Sequence, residues 1–232
     1  MKPIVSRTLL MLVMLAWAGG CNSAAAPLAA LPTHDLDLSG GVAKPACTMP
    51  AGETSQPSVA APEDDWACQG YRQWRYIVIH HSGNEKGNAA EFDLMHRRRG
   101  WDELGYHFVI DNGQGGRDGA IEVGSRWKSQ KWGAHCGGTP NNEYNTQGIG
   151  ICLVGDFSNH MPSQAQLESL CRLVSYLAAT CEIEPENIVG HRDAPRARTE
   201  CPGDVLLGYV HTSLRDLGYG RSAAAASTLK TP

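Results

Sequence analysis

The stretch Tyr76-Ile77-Val78-Ile79-His80-His81 constrains the chain most. A β-branched run this dense favours a buried strand, and Ser82-Gly83-Asn84 breaks it immediately after its two imidazoles. A buried strand that ends in polar side chains delivers them at the carboxyl edge of a sheet, where α/β proteins place their sites. Side chains alternate along a strand, so His80 and His81 are expected on opposite faces, with only one of them available to a given site.

The rest of the chain from about residue 66 to 220 alternates strand and helix patterns. Asn88 is placed to cap a helix with Phe92, Met95 and Arg99 at helical spacing, and Gly100 stops it. Arg97-Arg98-Arg99 reads as a solvated face. Strands are expected over Gly105–Ile110, Ile121–Val123 and Gly148–Gly155, with the turn-rich Asp111–Gly119 between the first two. Glycines in the 148–155 strand mark close approach of neighbouring groups. The longest helix is expected from Ser163 to Thr180, since Leu167, Leu170, Cys171, Val174, Leu177 and Ala178 make one apolar stripe. Ile188-Val189 leads into Gly190-His191-Arg192, and a last helix over Gly203–Leu217 buries Leu206, Val210 and Leu214. Interleaved strands and helices imply an α/β fold, a single mixed central sheet flanked by helices.

Residues 1–21 read as an address. Lys2 and Arg7 precede an apolar run from Thr8 to Ala18, too short for a bilayer span of about 20 residues. Ala18-Gly19-Gly20-Cys21 then resembles a bacterial lipobox, which would make Cys21 a lipid anchor and the protein an exported, membrane-anchored lipoprotein of the periplasm or cell envelope. Residues 22–65 hold six of the 13 prolines and read as an Ala/Pro-rich tether, and residues 221–232 as a flexible tail. The formal charge of −4 carries no basic surplus and argues against a nucleic-acid partner.

Chemistry concentrates at three positions. His80 closes the first strand, His191 the last, and Cys201 follows in Thr199-Glu200-Cys201-Pro202-Gly203. Two imidazoles and a thiolate can hold a catalytic zinc with its fourth position open. Zinc lowers the pKa of its water to about 7 and polarises a carbonyl, which suits amide hydrolysis. The competing reading places Cys201 in a disulfide, as cysteines of exported proteins often are.

The words around these residues carry a resemblance. Tyr76–Ser82, Gly100-Trp101-Asp102-Glu103-Leu104-Gly105-Tyr106-His107-Phe108, Gly133-Ala134-His135, Tyr144-Asn145, Gly148-Ile149-Gly150-Ile151, Gly155-Asp156-Phe157, Gly190-His191-Arg192 and Thr199–Gly203 occur in the order seen in the zinc-dependent N-acetylmuramoyl-L-alanine amidases, a family that includes peptidoglycan-recognition proteins and phage amidases. The resemblance spans about residues 74–217. It implies a peptidoglycan-recognition-protein-like sheet, a groove for glycan and stem peptide, and hydrolysis of the amide between the lactyl group of N-acetylmuramic acid and L-alanine. Carried over by position, it selects His80 over His81 as ligand, adds His191 and Cys201, makes Tyr106 the active-site tyrosine, and puts His135, Thr199 and Asn145 at the substrate. Some relatives carry Lys where Thr199 stands, which leaves the proton shuttle open. Cys152 stands where a cytosolic branch has a catalytic Glu, and is otherwise a small core residue. The ten-residue step from His191 to Cys201 is longer than in the animal proteins, so a bulge around Pro195–Ala197 is expected at the groove, with Arg196 and Arg198 as solvated loop residues. Family members without the Cys ligand bind peptidoglycan without cutting it, which is the alternative function.

Six further cysteines allow 15 pairings. Cys171 and Cys181 lie about 15 Å apart if one helix spans them, beyond the ~7 Å a disulfide tolerates. Cys47 with Cys68 is the most open pair.

Overall fold

A computed structural model describes residues 66–68 and 70–217. The signal, the lipid anchor at Cys21, the tether and the tail lie outside the described residues.

Among the described residues five strands form one sheet in the order β3-β2-β4-β1-β5, with β1 Tyr76–His81, β2 Phe108–Ile110, β3 Ile121–Val123, β4 Gly148–Leu153 and β5 Ile188–Gly190, and two short helices, α2 (Ser125–Lys128) and α3 (Glu143–Thr146), fall between β3 and β4 in the chain. β1 runs parallel to β4 and β5, β2 runs parallel to β4, and only the β2–β3 pair is antiparallel, so the sheet is mixed as expected. The central position of β4 explains its six buried residues, because a strand covered on both faces has no polar side to offer.

Strand alternation sorts the two faces. Ile77, Ile79, Phe108, Ile110, Ile149, Ile151 and Leu153 point into the main core, against the long helix α4 (Gln164–Cys181) and the C-terminal helical run that starts with α5 (Asp204–Tyr209). α4 starts where its sequence signals say: Ser163 Oγ accepts from the Gln166 N–H, and the Gln166 side chain accepts from the Ser163 N–H at 3.2 Å, a reciprocal cap. On the opposite face Val109, Cys152 and Val154 pack with Phe92 of helix α1 (Ala89–Arg98). The Asn88 side chain caps α1 by accepting from Glu91 N–H at 2.9 Å, and Arg97, Arg98 and Arg99 are exposed.

Three elements differ from the sequence reading. The strand expected from Gly105 begins at Phe108, because Gly105 spends its N–H on His96 Nδ1 (3.0 Å) and its carbonyl on Ala134 (3.0 Å) instead of a ladder. The last helix is one helical run of three kinds: α over Asp204–Tyr209, a wider π turn over Val210–Leu214, then a 3-10 turn. Cysteine pairing also needs correction. Cys68 is a free thiol, so the Cys47–Cys68 pair does not form; its sulfur lies 3.5 Å from Trp127 O and 3.4 Å from Gln130 Nε2. Cys171 is disulfide-bonded and Cys181 is free, so the two are not joined to each other, as expected for residues that one helix spans. Among the described residues, no helix is long and apolar enough to cross a membrane.

Candidate metal centre and active site

His80 and His81 part as alternation requires. His80, on the α1 face, is 1 % exposed, whereas His81 is only partly covered and turns its Nδ1 toward Asp156 at 3.6 Å. His191 opens a 3-10 turn directly after β5, the neighbour of β1, so adjacent parallel strands bring the two imidazoles to one edge. Their ring centroids are 4.7 Å apart.

Cys201 reaches them because the excursion after His191 closes on itself. Arg192 N–H donates to Cys201 O at 2.9 Å, and the Arg192 guanidinium ties Asp204 (2.7 Å) and Glu200 O (2.6 Å). Thr199 Oγ1 accepts the Cys201 N–H at 3.1 Å. The thiol ends 3.6 Å from His80 Nδ1 and takes the His81 N–H at 3.4 Å. It is free, which removes the disulfide reading of this residue.

One ligand atom from each of His80, His191 and Cys201 falls within 4.8 Å of the others. The donor set fits zinc: two nitrogens and one sulfur of borderline softness, converging from three separate segments. Burial keeps the imidazoles neutral and therefore able to donate a lone pair. It holds His80 well below the usual histidine range and His191 at about 4. Burial also pushes the Cys201 thiol up to about 12, a preference that a bound cation would reverse, since coordination deprotonates a thiol.

Tyr106 stands beside this corner, its ring centroid 5.2 Å from His80. The residue is partly exposed, with the Cys152 thiol close to its hydroxyl. Burial, with the Cys152 and Cys201 thiols, raises the phenol well above its ordinary value, so it stays a proton donor. The resemblance sets Cys152 where a cytosolic branch has a catalytic Glu, and the strand pattern makes it a small core residue. It packs as one, 0 % exposed, and the β1–β4 register sets it directly beside His80.

His135 lies against His80 and Asn145 against His135, both buried, with these hydrogen bonds made within the protein. His135 is 7 % exposed; its Nδ1 lies 3.0 Å from His80 Nε2 and its Nε2 3.2 Å from Gly148 O. Asn145 Oδ1 accepts the N–H groups of both His135 and Cys136 at 2.8 Å, and its amide nitrogen donates to Asn142 Oδ1 at 2.8 Å. Thr199 remains at the edge of the corner, half-buried, and Arg196 and Arg198 are exposed. Arg126, which no motif singled out, is 2 % exposed and ties the segment before Tyr106 to residue 132 through Leu104 O (2.6 Å), Trp132 O (2.8 Å) and the Asp102 carboxylate.

Known proteins share a long segment with the chain. Residues 70–204 match the family model described as N-acetylmuramoyl-L-alanine amidase. An N-acetylmuramoyl-L-alanine amidase of Sus scrofa is 31 % identical over 150 residues, 59 % of this chain and 23 % of that protein, so the chain spans a minor part of that relative. Peptidoglycan-recognition protein 2 of Holotrichia diomphalia is 30 % identical over 148 residues, 60 % of this chain and 72 % of that protein. The solved structure of bumblebee PGRP-SA, 23 % identical, covers 64 % of this chain and 91 % of its own with a TM-score of 0.50, a likeness of fold. On the family match and on the extent of the shared segment, the chain belongs to the N-acetylmuramoyl-L-alanine amidase family.

Proposed function

We propose that this protein is a zinc-dependent hydrolase of the amide between the lactyl group of N-acetylmuramic acid and L-alanine, acting on peptidoglycan or its fragments. The observation that carries the reading is the convergence of His80, His191 and Cys201 ligand atoms within 4.8 Å at the carboxyl edge of parallel strands. His80, His191 and Cys201 would hold the metal, which when bound supplies Lewis acidity and activates water for attack on a carbonyl.

The chain's own residues supply the rest. Tyr106, kept protonated by burial, donates its hydroxyl hydrogen to the oxygen of the scissile carbonyl as negative charge builds there. Thr199 accepts a hydrogen bond from Cys201 N–H, which leaves its own hydroxyl hydrogen to donate to substrate. Arg192 closes the His191–Cys201 loop and so fixes the spacing of two ligands. A peptidoglycan-binding role without cleavage needs no such convergence, and the presence of Cys201 favours the enzyme. The basic start, the short apolar run and the Cys21 motif support export to the cell envelope with a lipid anchor.

The test is metal analysis of the purified full chain together with mass spectrometry of products from defined muropeptides. About one zinc per chain and release of an intact stem peptide with a free L-alanine amino group are expected. Cys201→Ser should lose both. Cleavage that survives this substitution overturns the ligand set.

A further inference from the structure

We propose that His135 is a positioning residue that fixes the tautomer of His80, through a one-way chain of hydrogen bonds starting at the Gly148 carbonyl. The proposal rests on the zinc reading for the role of His80 as ligand, and it gives His135 a role that acts through His80.

The direction of the chain follows from one atom that can only accept. Gly148 O has no hydrogen, so His135 Nε2, 3.2 Å away, must carry the N–H. In a neutral imidazole the other nitrogen is then bare, so His135 Nδ1 accepts. His80 Nε2 lies 3.0 Å from it and must donate. That leaves the lone pair of His80 on Nδ1, the nitrogen that faces Cys201 Sγ at 3.6 Å. Reversing any link would set two hydrogens or two lone pairs against each other.

Gly148 O is available because of where the β2 ladder starts. Carbonyls two residues apart on a strand point the same way, and the next one along, Gly150 O, accepts the His107 N–H at 2.9 Å. Gly148 lies one step before the ladder, so its carbonyl is left for a side chain.

The ring of His135 is held for this task. A Cβ on Gly150 would stand 2.4 Å from its Cδ2 and one on Gly133 would stand 2.3 Å from the same atom, so both positions have room only for glycine while the ring stays. Asn145 Oδ1 fixes the backbone by accepting the His135 N–H. His107 offers a contrast on the same face. Its Nδ1 accepts Gly150 N–H at 2.9 Å and its Nε2 lies 3.1 Å from Lys131 O, so both nitrogens end on backbone and neither reaches a ligand.

The test combines a measurement on the wild type with two variants. In the metal-free full chain with labelled histidine, long-range 1H–15N correlation should show His80 as the neutral Nε2–H tautomer. His135→Ala should mix the tautomers and weaken zinc binding, read by chelator competition, by about 10–100-fold. His135→Asn places an amide oxygen where Nδ1 stood and should recover most of that loss. An Nδ1–H tautomer of His80 in the wild type overturns the proposal, as does zinc affinity in His135→Ala within twofold of wild type, or an Asn variant as weak as the Ala variant. The tautomer measurement needs neither variant to fold. A wild type that binds no zinc but shows the Nε2–H tautomer would sink the metal reading while leaving the hydrogen-bond chain in place.

Discussion

Two groups of buried titratable side chains stand near the same edge of the sheet, at the ends of β1 and β2, and they meet the cost of burial by different means. Asp111, just past β2, is 1 % exposed and lies beside the Glu122 carboxyl on β3. Burial first, and the neighbouring carboxyl second, push it up to about 7, so Asp111 retains a proton well above the ordinary carboxylate range. The His80, His191 and Cys201 corner is also driven to its neutral forms, but its three donor atoms lie within 4.8 Å of one another. A proton joins two acceptors; a divalent cation joins three and keeps a place for a fourth. Desolvation is common to both groups. What separates a proton store from a metal site is how many lone pairs point at one place.

The sharpest way to break this comparison is to remove a ligand. His191→Ala should abolish stoichiometric zinc and lower turnover by more than about 100-fold, since even residues behind metal ligands affect activity by 10–100-fold. If the corner were only a buried polar cluster like the acid pair, activity would be unmoved. Tyr106→Phe should act next, lowering turnover by about 10–100-fold, below the larger losses seen for oxyanion donors because the metal still polarises the carbonyl. Zinc content should stay at wild-type level in that variant. An unchanged rate would remove the proton-donor role, and a loss of zinc would show that the Tyr106–Cys152 contact supports the ligands instead.

How much of this was legible in the sequence depends on whether a local rule decides it. Strand alternation alone puts His80 and His81 on different faces, and capping signals at Asn88 and Ser163 place two helix starts to the residue. The meeting of Cys201 with His191 is not local: it depends on Arg192 N–H finding Cys201 O across the loop. Motif order brought Cys201 to the site but carries no account of this closure. The same limit explains His135 and Asn145. Their motif says they are near the groove, while the hydrogen bonds they make follow from which backbone groups face them, a matter of β4 register and of Gly150 and Gly133 leaving space. The late start of β2 has a similar cause, because nothing in Gly105-Tyr106 signals that His96 and Ala134 will take its backbone groups.

The smallest effect sharpens the comparison most directly, because the two groups should drive stability in opposite directions with pH. Asp111 moves from 3.8 in the unfolded chain to about 7 in the folded one. Between those values the unfolded chain releases a proton that the folded chain keeps, so stability falls as pH rises and is flat again above about 7. His191 moves from 6.5 to about 4, so over that range the unfolded chain binds a proton the folded chain refuses, and stability falls as pH drops. In the metal-free protein the two slopes oppose each other between about 4 and 6.5. Asp111→Asn removes only the first, because the amide cannot ionise yet can still donate to Glu122. Relative to wild type the variant should gain little near pH 4 and about 1–3 kcal/mol at pH 8, measured by urea denaturation across the range. A gain that does not vary with pH would mean that Asp111 ionises normally and that its burial is offset by something other than a retained proton.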